Sequence, residues 1–204
     1  FYSEALLIDP EYKDALYNRA LVFQQLNKFD EAIADYSAIL EKNPGDSLAL
    51  FQRGVSLMDN GEYYKALEDS KNLLSILPKS WKGHFLTGLV LEKMKNYDEA
   101  LEEFEKSLEL QPENYEVLIN KATLHYYLKE FDASYTALDR AEKLNPQEPN
   151  IYNLRAMLSF EAKDFEKAMV WIEKAISLNP KEAFYFNNRG LYHLYLGEYE
   201  KGLE

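Results

Sequence analysis

Prolines stand at Pro10, Pro44, Pro78, Pro112, Pro146 and Pro180, each 34 residues after the last, and only Pro149 falls outside the series. A strict period of this length is the mark of one supersecondary unit repeated in tandem, with each copy packing on its neighbours. Other features keep the same step. An aromatic recurs at Phe29, Tyr63, Tyr97, Phe131, Phe165 and Tyr199, and three residues later comes a small side chain: Ala32, Ala66, Ala100, Ser134, Ala168 and Gly202. A second small series is Ala20, Gly54, Gly88, Ala122, Ala156 and Gly190.

Each series has a physical reason. Two closely packed helices need a small residue where their backbones approach, and the two small series supply one on each helix. The aromatic follows the turn between the helices, where a large ring buries area between them. Proline ends the second helix, since it cannot donate to the ladder and biases its predecessor away from the α region. That predecessor is often Asp or Asn (Asp9, Asn43, Asn145, Asn179), residues suited to a helix end. Between prolines, apolar residues such as Leu101, Phe104 and Leu108 recur at helical spacing.

With these residues in place, the chain resembles the tetratricopeptide repeat family, whose unit is a 34-residue helix–turn–helix with small residues at positions 8 and 20 and proline at position 32. The resemblance implies an all-α fold, a right-handed α-solenoid (superhelix), with about twelve helices of ~12–15 residues. With Pro44 at position 32, the whole chain, 1–204, reads as a single array. Full repeats run 13–46, 47–80, 81–114, 115–148 and 149–182, and a truncated repeat runs 183–204. Residues 1–12 read as the end of a preceding repeat, and 198–204 as the stub of a second helix. Phe1, Tyr2, Ala5 and Leu6 make no polar cap, so the expectation is a fragment of a longer array, or an array capped by other segments. Two departures from the family pattern leave the fold untouched. Position 4, often Trp, is Leu16, Leu50, His84, Leu118, Tyr152 and Phe186, and position 7, often Leu, is mostly basic, at Arg19, Arg53, Lys121, Arg155 and Arg189.

Composition limits the partners. The chain is 47% hydrophobic and 28% charged, as expected of a folded, helix-rich protein. Its 35 acidic against 23 basic side chains give a formal net charge of −12. A surface so acidic repels phosphate backbones and offers no basic face to anionic membranes, so neither nucleic acid nor a membrane surface is an expected partner. No window approaches ~18 uninterrupted apolar residues, so no membrane insertion is expected. Cysteine is absent, which removes thiol nucleophiles and Cys-ligated zinc while leaving cytosol and periplasm both open. No signal peptide is visible, and the sequence does not begin with methionine.

Chemistry-bearing patterns are sparse. His84, His125 and His193 occupy packing positions, 4 and 11 of the repeat, and no HExxH-like pattern accompanies them. The GEYEKG run from Gly197 to Gly202 is a turn-plus-helix pattern rather than a phosphate loop. Acid pairs such as Asp98–Glu99 and Glu102–Glu103 fall on exposed helix faces. The expectation is a chain without cofactor or metal, and not an enzyme.

In the family, the first (A) helix of each repeat lines an inner groove, chiefly through positions 2, 5, 6, 9, 12 and 13, which share an arc of roughly 120° on an α-helix. The resemblance therefore nominates Tyr17, Asn18, Leu21, Phe51, Gln52, Val55, Phe85, Leu89, Asn120, Tyr126, Asn153, Asn187 and Asn188 as partner-binding residues. Two zones are expected. The early repeats offer an apolar strip of Tyr17, Phe51 and Phe85 with Leu21, Val55 and Leu89, and the later ones offer Asn and Tyr side chains, with Ile119, Thr123, Tyr127 and Met157 at neighbouring inner positions. The alternative reading is that curvature buries the strip against adjacent repeats. The carboxylate clamp of chaperone-binding members needs Lys at position 5 and Asn at position 9, and no such pair occurs. The asparagine ladder of O-GlcNAc transferase is matched in part by Asn18, Gln52, Asn120 and Asn188, with Leu86 and Leu154 breaking the run.

The expected function is a scaffold that binds a protein or peptide segment in its concave groove. The alternatives are a targeting array for an enzyme whose catalytic domain lies elsewhere, or a structural array that self-associates through its ends.

Overall fold

The computed structural model describes residues 1–203 of the 204-residue chain. Among the described residues there are twelve α-helices, one short 3-10 helix and no strand. They fall in two compact units, Phe1–Pro112 and Glu113–Glu204. The first unit holds α1 (Tyr2–Ile8), α2 (Lys13–Gln25), α3 (Phe29–Lys42), α4 (Ser47–Asp59), α5 (Tyr63–Ile76), α6 (Trp81–Lys93) and α7 (Tyr97–Leu110). The second holds α8 (Tyr115–Tyr127), α9 (Phe131–Leu144), α10 (Pro149–Glu161), α11 (Phe165–Leu178) and α12 (Ala183–Tyr195), then a 3-10 turn at Lys201–Leu203. Each A helix (α2, α4, α6, α8, α10, α12) has 13 residues, and each B helix (α3, α5, α7, α9, α11) has 14. Where the sequence reading starts a sixth B helix, at 198–204, the described residues instead form that 3-10 turn. So short a segment has few i→i+4 bonds to close, and a 3-10 turn is the common outcome at a helix end.

Two different devices stop the helices. Every A helix ends at repeat position 15, which takes a left-handed backbone: Asn27, Lys95, Lys129 and Lys163, with φ between 56° and 64°, and Gly61 and Gly197. The turn is a Schellman motif. The Lys28 N–H donates to Phe23 O at 2.8 Å and the Asn27 N–H to Gln24 O at 3.0 Å, and Glu62, Asn96, Glu130, Asp164 and Glu198 repeat the longer bond. Every B helix ends instead at the residue before the periodic proline. Asn43, Leu77, Gln111, Asn145 and Asn179 all leave the helix there, as steric conflict with the proline ring requires. The next A helix is then capped by a side chain at position 34, as when Asp46 accepts from the Ala49 N–H and Ser80 from the Gly83 N–H.

The small residues lie where the helices meet. Ala32, Ala66, Ala100, Ser134 and Ala168 are completely buried, as are Ala20, Ala122 and Ala156 on the partner helices. A Cβ on Gly88 would come within 2.5 Å of the Phe104 ring, and one on Gly54 within 2.5 Å of Leu86. Gly190 and Gly202 bring two backbones together, since a Cβ on either would meet the other's carbonyl oxygen at 3.2–3.3 Å.

The arginines at position 7 tie A helices to B helices. Arg19 donates from Nε and Nη2 to Asp35 at 2.8 and 2.6 Å, and Arg53 does the same to Asp69 at 2.8 and 2.7 Å. In both repeats the acid stands at position 23, on the same repeat's B helix. Position 23 is Trp171 in the repeat of Arg155, and that arginine turns back to the preceding repeat's Asp139 and Glu142, at 2.6 and 2.8 Å. Its Nε is left without an acceptor, as is the buried Trp171 Nε1. The histidines are half-buried, in keeping with packing positions, and each meets a glutamate. His84 Nδ1 lies 2.6 Å from Glu103, and His125 and His193 lie 2.7 Å from Glu130 and Glu198.

Among the described residues, no helix is long and apolar enough to cross a membrane, and no three His, Asp or Glu side chains are grouped to hold a metal ion.

Candidate functional site

In the second unit, the inner faces of α8 and α10, with the start of α12, enclose an open groove of about 410 Å³. Helix α8 supplies Tyr115, Glu116, Ile119, Asn120, Thr123 and Tyr127, at one-turn intervals along one face. Helix α10 supplies Asn150, Asn153, Leu154 and Met157 from the matching positions, with Glu148 just ahead of it, and α12 adds Phe184. The helices hold these residues still because their other faces are buried. Val117, Leu118, Ala122 and Leu124 are buried on α8, and Ile151, Tyr152, Ala156 and Leu158 on α10. Two aromatic side chains stay open at the rim, Tyr127 at 51% and Phe184 at 50% exposure.

The groove is polar along its floor. Asn120 Nδ2 donates to Glu116 O at 2.8 Å and Thr123 Oγ1 to Ile119 O at 2.9 Å, so each satisfies one function on its own helix. Asn188 Nδ2 donates to Asn153 Oδ1 at 2.9 Å, and Tyr185 Oη donates to Asn150 Oδ1 at 2.7 Å, tying α12 to α10. Burial, with the charges of Glu148 and Glu182, pushes the Tyr185 hydroxyl up to about 12, so it stays a donor at neutral pH. Tyr126, beyond the groove, donates to Glu161 at 3.2 Å, and burial together with that carboxylate pushes its hydroxyl up to about 12. The lining residues include Glu116 and Glu148 but no Lys or Arg.

The nominated residues separate on this geometry. Asn120 and Asn153 line the groove, though Asn153 is only 8% exposed. Asn188, also expected to meet a partner, faces α10 instead. It is also 8% exposed, and its amide is engaged by Asn153 in a brace between helices. Asn187 is exposed but lines a separate hollow with Phe186, Leu191 and Tyr199. In the first unit, the expected strip of three aromatics is broken. Phe85 is only 8% exposed, its ring centroid 5.9 Å from Phe104 and 6.4 Å from Trp81. The reason is Gly88, one turn along: with no Cβ there, Phe104 rises against α6 and Phe85 closes over it. Tyr17 stands edge-on to Tyr36 at 5.7 Å and receives a bond from Gln52 at 3.4 Å. Phe51, Val55 and Leu89 are half-buried against core clusters, with Lys82 Nζ 5.6 Å from the Phe51 ring. Asn18 and Leu21 are also half-buried. Tyr115, Glu116, Glu148, Asn150 and Phe184 escaped nomination. Glu116, Asn150 and Phe184 all hold position 2, which belongs to the inner arc, so the signal was present.

Sequence models described as tetratricopeptide repeat match residues 14–46, 51–115, 91–158 and 149–182. A tetratricopeptide repeat protein from Parabacteroides merdae superposes with a TM-score of 0.85 at 22% identity, covering 94% of this chain and 75% of that one. TTC0263, a thermophilic protein of this repeat class in Thermus thermophilus, gives 0.78 at 20% identity, covering 90% and 98%. YrrB, described as a repeat protein with an unusual peptide-binding site, gives 0.58 at 18% identity, covering 90% and 95%. At these identities the likeness is one of fold.

Proposed function

The chain belongs to the tetratricopeptide repeat family, and from that premise we propose that the groove over α8, α10 and α12 holds an extended segment of a partner protein. A protein-binding role is what family membership supports, and the groove gives that role a place. The observation that carries the reading is the opening of about 410 Å³ formed by the same inner positions of successive A helices, with amide and hydroxyl groups on its floor and aromatic rings at its rim. Such groups suit a peptide: asparagine and threonine meet backbone amides, and exposed rings bury side chains. The likeness to YrrB, itself described as peptide-binding, points the same way.

Asn120→Ala with Phe184→Ala removes one floor group and one rim ring without touching the buried core. Captured partner is expected to bind this double variant at least ~10-fold more weakly, with unchanged helicity. Glu102→Ala, on an exposed face of the first unit, is the control that leaves binding alone. Normal binding by the double variant moves the partner to another surface.

Association between copies is a second reading, favoured by one observation. Leu191, Leu194 and Tyr199 are exposed around the hollow of about 510 Å³ beside α12. Light scattering that rises with concentration, and falls in Leu194→Glu, supports it.

A further inference from the structure

Resting on the groove reading above, we propose that this groove is built for a lysine or arginine side chain of the bound segment. Its charge is one-signed. Glu116 and Glu148 line it and no basic side chain does, so a cation entering it meets two carboxylates and no repelling partner. The opposite occupant, a carboxylate or phosphate, would meet Glu116 and Glu148 as like charges. Several of the backbone N–H groups at the helix starts that attract anions are already taken by capping side chains. Glu148 accepts from the Asn150 N–H at 3.2 Å, Glu182 from the Phe184 N–H at 3.3 Å, and Asn114 from the Glu116 and Val117 N–H groups at 3.1 and 3.2 Å. An apolar side chain alone would leave the two carboxylates facing it.

The rings complete the site. Tyr115 and the half-exposed Phe184 flank the groove, so an aliphatic stem can lie along them and Met157 while the cation sits over a ring face. The net charge of −12 adds long-range attraction for a basic segment. Charge complementarity, not apolar area, is what distinguishes this groove from the hollow beside α12.

The test uses the isotope-labelled chain and acetylated, amidated pentapeptides Gly-Ser-X-Ser-Gly, with X as lysine, arginine, norleucine or glutamate, followed by backbone amide shifts. The lysine and arginine peptides are expected to shift the amides of Glu116, Thr123 and Asn153, binding ~5-fold or more tightly than norleucine at low salt. Glutamate should give no shift. The advantage should disappear in Glu116→Gln with Glu148→Gln, a pair that keeps an acceptor for the α10 cap. Equal binding of norleucine and lysine, or an advantage that survives in the glutamine pair, overturns the charge proposal and leaves the groove reading standing. Should none of the four peptides move these amides, both fall together.

Discussion

Repeat position 15 takes the same left-handed backbone in all six turns, yet the residue there is Gly only at Gly61 and Gly197. For lysine this conformation costs roughly 1–2 kcal/mol, partly offset because glycine would lose more chain entropy on folding. Lys129→Gly is therefore expected to raise stability by ~0.5–1 kcal/mol in urea unfolding, and Gly61→Lys to lower it by a similar amount. The two small series respond in the opposite sense. From the sequence alone, Gly88→Ala has no predictable sign, since relief of backbone entropy competes with an added methyl. The Phe104 ring, 2.5 Å from that methyl's place, settles the direction. Gly88→Ala should cost ~1–3 kcal/mol, read as a lowered urea midpoint, and Gly88→Leu more.

Between elements, the arginine pairs show that a tether can be kept while its anchor moves. Arg19 and Arg53 grip position 23 of their own B helix, and Arg155 and Arg189 reach position 25 of the one before, at Asp139 and Glu173. Asp69 is nearly buried, so Asp69→Ala leaves the Arg53 guanidinium without its partner and should cost ~2–4 kcal/mol, whereas Glu173→Ala, at an exposed pair, should cost under ~1 kcal/mol. Glu92 on α6 is a liability of another kind. Burial raises its carboxyl above the ordinary 4.5, with the Lys93 charge only partly opposing. Its raised folded value means a proton is taken up on folding, so its contribution is best below 4.5 and is lost as pH rises through the folded value. Glu92→Gln is thus expected to raise the thermal midpoint at pH 7 and leave it unchanged near pH 4. Much of this scale was legible in the sequence. The periodic proline marks each B helix's end and the aromatic its start, for α3, α5, α7, α9 and α11, because each is a local steric requirement. The site was legible only as an arc of positions. Which members of the arc are open depends on contacts made a repeat away: Phe104 under Gly88 decides that Phe85 is covered, and Asn153 decides that Asn188 is a brace. One-dimensional spacing carries neither.

At the scale of each unit, the packing among the described residues is local in the chain. Within each unit, each helix packs on its sequence neighbours, and the longest steps join A helices of adjacent repeats, such as α4 with α6 and α8 with α10. Packing of this local kind makes stability a sum of repeat terms and nearest-neighbour terms rather than one indivisible core. A lesion should then stay near its origin. Asp69→Ala, on α5, is expected to lower amide-exchange protection through α4, α5 and α6, where the Arg53 tether and the Gly54–Leu86 contact lie. Protection in α10 and α11 should hold, since their stabilising contacts, Tyr152 on Trp171 at 6.0 Å and Arg155 on Glu142, share no residue with the lesion. Hydrogen exchange read by mass spectrometry on peptides from the two regions makes the comparison within one sample. Uniform loss of protection from α4 to α12 would mean that the repeats unfold as a single cooperative unit and that the additive account is wrong. Loss confined to α4–α6 would also make the groove over α8, α10 and α12 testable in variants whose first unit is weakened, with binding and stability read independently.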